Sequence, residues 1–298
     1  MKTYLNEMKS RVENKMMGYL EELLYPKAMA EGMKYALLNG GKRLRPVLLY
    51  MTLDMLGVSK DKGDSLASAI EMIHSYSLVH DDLPALDNDD YRRGKLTTHK
   101  VYGEANAILI GDSLLTYAFF VASTKSSNID SDKLIKILGL ISEYSGVQGM
   151  IGGQVIDIES EGKIVDLETL QYIHAHKTGR LIRLPIEIGA IIGDLEESKK
   201  KLLVKYADLI GLAFQIKDDL LDIEGSFEEI GKPVGSDIKL EKSTYPAIFG
   251  LEKTKEILNN KIIEAKNIII ENFPENNENF LNLADYIMNR SNDSFRIV

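Results

Sequence analysis

Apolar positions recur along this chain at helical intervals. In residues 65–82, Leu66, Ala69, Ile70 and Ile73 fall at i, i+3, i+4 and i+7, which gives an α-helix one apolar side. Similar spacing predicts helices over roughly 4–24, 43–56, 104–124, 132–150, 168–190, 198–223, 244–270 and 277–290. Long alternating β-branched runs, the mark of half-buried strands, are missing. Breaks are predicted at Gly40-Gly41, Gly57, Pro84, Gly94, Gly103, Gly152-Gly153, Gly162, Gly225 and from Gly231 to Gly235. No Pro- or Ser-rich linker and no internal repeat divides the chain. The pattern therefore predicts one all-α domain over 1–298, a bundle of about ten or more helices.

Composition narrows the class. Of the 298 residues, 44% are hydrophobic and 27% charged, which suits a globular domain. With no cysteine there is no disulfide framework and no cysteine-based zinc site. Residues 1–7 lack the apolar core of a signal peptide, and no apolar run approaches the ~20 residues of a membrane span. The expectation is a cytoplasmic protein that is not integral to a membrane. A net charge of −9 without a basic tail argues against a nucleic-acid partner. Charge of both signs nevertheless gathers locally. Lys42, Arg43 and Arg45 form one basic group, Arg92, Arg93 and Lys95 another. Acidic groups are Asp81, Asp82, Asp87, Asp89 and Asp90, then Asp218, Asp219 and Asp222. This pairing suits an anionic substrate that arrives with a divalent metal.

Asp218-Asp219-Leu220-Leu221-Asp222 reads DDxxD. On a helix, i and i+4 lie roughly 40° apart, so Asp218 and Asp222 share a face with Asp219 at its edge. A hard cation with oxygen ligands relieves their repulsion, and magnesium that also takes phosphate oxygens is the usual occupant. A solvated helix face explains this motif alone equally well. Asp81-Asp82-Leu83-Pro84-Ala85-Leu86-Asp87 spans six positions, too many for one helical face. Pro84 disfavours helical geometry at Leu83, so the helix ends here and the chain can bring Asp87 back toward Asp81. An ordinary acidic helix-end loop is the plain alternative.

Arg92-Arg93-Gly94 follows, and arginine forks take phosphate oxygens bidentately. Gly40-Gly41-Lys42-Arg43-Leu44-Arg45-Pro46 joins a flexible turn to cations and a helix start, without P-loop spacing. His74 lies two turns before Asp81 on nearly the same face. Glu71-Met72-Ile73-His74 matches one Glu-x-x-His di-iron half-motif, but no second one exists. In Lys177-Thr178-Gly179-Arg180, Gly179 can loosen a helix, expose carbonyls and let Lys177 reach a phosphate. Gln215 precedes Asp218 by three positions on a similar face. Packing accounts for each of these taken singly.

Together the segments resemble the trans-prenyl diphosphate synthases, with the closest likeness to bacterial farnesyl diphosphate synthases. The matching stretches are GGKRLRP (40–46), residues 71–112, GGQVIDI (152–158), HKTG (176–179), FQIKDDLLDIEG (214–225) and IGKPVGSDIKLEKSTYP (230–246). The resemblance implies an all-α isoprenoid synthase fold around a deep central cavity, in a homodimer. It implies that Asp81, Asp87 and Asp218, supported by Asp82 and Asp222, hold magnesium, about three ions per site. Arg92, Lys177 and Lys232 would grip the allylic diphosphate. Lys42, Arg45, His74 and Arg93 would bind isopentenyl diphosphate. Thr178 and Gln215 would face the developing allylic cation. Tyr76, five residues and about 7.5 Å of helix before Asp81, would floor the cavity, where Ser77 is too small to block. These implications point to a fifteen-carbon product. Two features depart from the pattern: Leu96 stands where a proline is common, and the ending 289–298 lacks the usual basic residues.

Three rival readings remain. A class I terpene cyclase would carry one DDxxD and an Asn/Asp-Ser-Glu motif. A non-catalytic synthase subunit would have lost aspartates or arginines. A synthase of longer or shorter products would share every motif.

Overall fold

The structure, a computed structural model, describes residues 1–224 and 244–290. The chain divides into two compact units, Lys2–Tyr50 with Val58–Leu138, and Met51–Gly57 with Gly139 onward. Helix dominates both, as the apolar spacing predicts. The one β pairing among the described residues is a two-residue hairpin, Tyr91–Arg92 against Lys95–Leu96.

In the first unit, α1 (Lys2–Glu21), α2 (Lys27–Leu38) and the start of α3 (Leu44–Met55) lead to α4 (Asp64–Asp81). Then come α5 (Thr98–Tyr102), α6 (Glu104–Thr124) and the start of α7 (Ser131–Ser145). From Asp64 to Tyr76 every residue of α4 is buried, so this is the helix around which the unit is built. α1, α2 and α6 pack on it. Its first residue, Asp64, faces Arg11, Tyr50 and Lys15, the last with Nζ at 3.2 Å. Arg11 donates to both carboxylate oxygens, Nε at 2.7 Å and Nη2 at 2.8 Å, and the Tyr50 hydroxyl donates at 2.9 Å. An acid at a helix N-terminus also meets the favourable end of the dipole.

Helix α6 corrects one expectation, since its length and composition would let it cross a membrane. Its buried positions Ala107, Ile110, Gly111, Leu114, Ala118, Val121 and Ala122 form one ridge, and the helix packs on α4 and α2. α2 was not anticipated by the spacing. It passes so close to α6 that a Cβ on Gly32 would sit 2.3 Å from the Ile110 side chain.

The second unit holds α8 (Met150–Ser160), α9 (Leu167–Ile173), a π-helical turn (His174–Gly179), α10 (Arg180–Ile192) and α11 (Glu197–Glu224). After the undescribed segment follow α12 (Tyr245–Phe249), α13 (Leu251–Asn272) and α14 (Glu278–Asn289). α11 packs against α10, the π turn and α13. Gly179 was expected to loosen its helix, and it closes the π turn. One other glycine makes room there and a second lies in ordinary contact. A Cβ on Gly153 would fall 2.2 Å from the backbone nitrogen of Lys177, and one on Gly211 would meet Gly179 at 3.4 Å. The helix predicted over 132–150 breaks after Ser145, and that over 244–270 breaks at Gly250, whose φ of +77° suits glycine.

Candidate active site

In the first unit, the Gly40-Gly41 turn and the residues after it build a cationic pocket. Gly40 and Gly41 take φ of +95° and +108°, Arg43 takes +53° and Arg93 +54°. Arg93 Nη1 donates to Gly40 O at 2.6 Å, and a Cβ on Gly41 would lie 2.5 Å from that nitrogen. Glycine suits position 41 by its φ of +108°, and the guanidinium lies directly against it. Arg43 turns inward and is buried. Its Nε donates to Glu13 Oε1 and its Nη1 to Glu71 Oε1, both at 2.9 Å, and its Nη2 donates to Leu37 O at 2.6 Å. Arg43 is therefore committed to the interior and anchors the turn.

The electrostatics show a pocket short of negative charge. Burial pushes Arg45 down to about 10, against the opposing pull of Glu71. Burial, reinforced by neighbouring guanidiniums, brings Arg93 to about 10 as well. Arg45 Nε is buried without a partner. His74 is held well below its ordinary value, first by burial and then by Arg45, Arg93, Arg92 and Arg43, so it is neutral at physiological pH. An incoming anion would relieve every one of these shifts.

The first aspartate motif lies at the end of α4. The helix stops at Asp81, and the Asp87 N–H donates back to Asp81 O at 2.9 Å, which returns the chain as Pro84 implied. Asp81 is half-buried and Asp87 exposed, while Asp82 is buried. Arg92 clamps Asp82, with Nε at 2.7 and 3.0 Å and Nη2 at 2.6 Å. Burial raises the Asp82 carboxyl and the clamp opposes it. One turn earlier Tyr76 is buried with its hydroxyl unpartnered, and burial pushes it to about 12. Its ring meets His80 edge-on at 5.7 Å, and His80 Nε2 lies 3.0 Å from Ile108 O. Ser77 donates to His74 O at 2.8 Å.

In the second unit α11 carries Gln215, Asp218, Asp219 and Asp222. Asp218 receives the guanidinium of Arg290, which also donates to Phe214 O at 2.7 Å and lies 3.9 Å from the centre of the Phe214 ring. Asp219 is buried and accepts the Tyr245 N–H at 2.9 Å. Asp222 is also buried, and Gln215 and Thr178 are half-buried. Lys177, on the π turn, donates to Asp157 Oδ2 at 2.7 Å. Lys232 lies outside the described residues.

Residue types and spacing did not single out Arg290 or Asp157. Asp157 sits in the quoted GGQVIDI stretch, which was the available signal. Arg290 lies within the ending, 289–298, that was noted only for what it lacks.

The acidic donors on offer are oxygen only, which suits a hard cation. Among the described residues no three carboxylates or imidazoles converge closely enough to cage an ion unaided. Magnesium commonly takes one or two carboxylates and completes its shell with water and substrate phosphate. The donors fit it in that role.

Comparison with known proteins gives a consistent answer. The polyprenyl synthetase family model matches residues 26–277, through both units. The farnesyl diphosphate synthase of Geobacillus stearothermophilus is 48% identical over 256 residues, 86% of each chain. The geranylgeranyl diphosphate synthase of Cyanophora paradoxa is 41% identical over 291 residues, 97% of this chain and 96% of its own. Among solved structures, a geranyltransferase from Legionella pneumophila superposes with a TM-score of 0.86 at 32% identity, covering 98% of this chain and 97% of that one. With the cationic pocket, the returned aspartate loop and the DDxxD helix all inside the matched span, the chain belongs to the polyprenyl synthetase family.

Proposed function

We propose that the chain condenses isopentenyl diphosphate with dimethylallyl or geranyl diphosphate to make farnesyl diphosphate. The observation that carries this is the gathering of Arg45, Arg93 and neutral His74 beside the Asp81–Asp87 loop in one unit. The identities to curated farnesyl diphosphate synthases support the fifteen-carbon product.

Lys42, Arg45, His74 and Arg93 bind the diphosphate of isopentenyl diphosphate. Neutral His74 adds a hydrogen-bond donor without further repulsion among the arginines. Arg92, Lys177 and Lys232 grip the allylic diphosphate. Asp81, Asp87 and Asp218 carry magnesium, about three ions, with Asp82 and Asp222 in support. When bound, magnesium neutralises charge on the departing diphosphate. Preorganised cations stabilise that leaving group, so no protein nucleophile is needed. Thr178 and Gln215 face the allylic carbon as its positive charge grows. The double bond of isopentenyl diphosphate attacks it, and the released diphosphate removes the proton. An apolar lining keeps water from quenching the cation, and Tyr76 ends the space open to the chain. We read residues 1–298 as one synthase domain, working in the cytoplasm as a homodimer.

Dimethylallyl and isopentenyl diphosphates with magnesium test the reading by product carbon number. Fifteen carbons are expected. Twenty would favour the second reading, a geranylgeranyl synthase, for which the Cyanophora relative is the support. No released diphosphate would overturn catalysis altogether, and hydrocarbon from farnesyl diphosphate alone would indicate a cyclase.

A further inference from the structure

The three carboxylates of DDxxD have different surroundings. Asp218 faces a cation, Arg290. Asp219 faces a backbone N–H, that of Tyr245, in the interior. A buried carboxylate that takes a backbone donor is held in orientation by it, and removing that acceptor leaves the N–H unsatisfied. Tyr245 in turn reaches the π turn. Its ring lies nearly parallel to His174, the first residue of that turn, at 5.8 Å and 17°. Its hydroxyl accepts from Gln171 Nε2 at 3.4 Å, from the helix that runs into the same turn. Burial holds His174 down to about 4, so the stacked imidazole is neutral and brings no charge near Lys177 and Asp157. Lys177 and Thr178 follow on this turn, whose backbone Gly153 and Gly211 approach closely.

We propose that Asp219 is a positioning residue which, through Tyr245 and His174, braces the DDxxD helix against the turn carrying Lys177 and Thr178. The proposal rests on the reading of these groups as diphosphate and magnesium ligands. It assigns the three aspartates separate work: Asp218 and Asp222 serve the metal, and Asp219 sets their distance from the lysine turn. π-helical turns inside α-helices recur at functional sites because they re-aim side chains. Such a turn needs a fixed partner, and Tyr245 is one.

The test compares Asp219→Asn, Asp219→Ala, Tyr245→Phe and Tyr245→Leu with wild type. Asparagine keeps an acceptor oxygen for the Tyr245 N–H but removes the charge a metal would use. Asp219→Asn is expected within about threefold of wild-type kcat, at unchanged magnesium half-saturation. Asp219→Ala is expected to lose about tenfold or more in kcat with the KM for isopentenyl diphosphate unchanged, because misplacement acts on the transition state. Tyr245→Phe keeps the ring and the N–H and should behave as wild type, whereas Tyr245→Leu should follow Asp219→Ala. Calorimetric binding of magnesium with inorganic pyrophosphate gives a readout apart from turnover, and Asp219→Asn should retain wild-type affinity. If Asp219→Asn is as impaired as Asp219→Ala and needs more magnesium, Asp219 is a metal ligand and the proposal falls. Full activity in Asp219→Ala would also overturn it. Should Asp219→Ala fail to fold, the asparagine and Tyr245 variants decide. Wild type that shows no magnesium-dependent diphosphate release would sink the underlying reading instead, whatever the variants do.

Discussion

Glu71 offers the sharpest test of the cationic pocket, because stability and binding should move in opposite directions. It is buried on α4 and accepts from Arg43 Nη1 at 2.9 Å, and its charge also favours the protonated forms of Arg45 and Arg93. Glu71→Gln retains an oxygen for Arg43 but removes the one buried negative charge named among these guanidiniums. Breaking a buried pair costs about 3–5 kcal/mol. The lower end applies here, since Arg43 keeps Glu13 and Leu37 O. A loss of ~3 kcal/mol corresponds to a melting point lower by roughly 6–12 °C for a chain of this size. The same change makes the pocket more positive, so inorganic pyrophosphate should bind more tightly and restore part of the lost stability through linkage. Thermal melts with and without pyrophosphate, beside calorimetric binding, measure both effects. A melting point unchanged within about 2 °C, or weaker pyrophosphate binding by a folded variant, would refute the account of Glu71 as the pocket's counter-charge.

Three further outcomes follow from the same geometry. The folded value of His174 is about 4, below the ~6.5 of an unfolded histidine, so the unfolded chain takes the proton first as pH falls. Stability held by neutral His174 is complete above about pH 6.5 and lost between there and about 4, up to ~3 kcal/mol, and His174→Phe should flatten that slope in urea melts at about pH 7 and 5. Tyr76→Ala should lengthen the products, read as carbon number by mass spectrometry, and an unchanged distribution would remove Tyr76 as the floor. Arg290→Gln leaves Asp218 without its cation, so the metal-free chain should melt lower, and magnesium with pyrophosphate should recover more of the loss than in wild type.

Most of the helical scaffold was readable from local spacing, while the missed α2 shows where such reading stops. Residues 27–38 do carry buried Ala30, Met33 and Leu37 at helical intervals. Gly40-Gly41 beyond them marks a break, and Gly32 in their midst weakens an isolated helix by about 1 kcal/mol. The reason for Gly32 is Ile110 on α6, far along the chain, and no window centred on α2 contains it. Gly153 follows the same logic. It is small because the backbone of Lys177 passes against it, so the sequence shows the glycine and the structure shows the neighbour.

The aspartate motifs divide along the same line. That Asp218 and Asp222 share a face, and that the chain turns back after Pro84, follow from helix geometry and proline sterics, which are local. Which carboxylate is available to a metal is not local. Asp82 is held by Arg92, ten residues on, and Asp219 by the backbone of Tyr245, 26 residues on. Both are the second aspartate of their motif, and both are buried while the first aspartate is half-buried. Two adjacent side chains on a helix point about 100° apart, so in a DD pair one residue can face an open cleft only if the other faces packed protein. Burying a carboxylate there requires a donor, and each unit supplies one: a guanidinium for Asp82, a main-chain amide for Asp219. The doubled aspartate thus pairs one half-buried carboxylate with one that is buried and held by a donor.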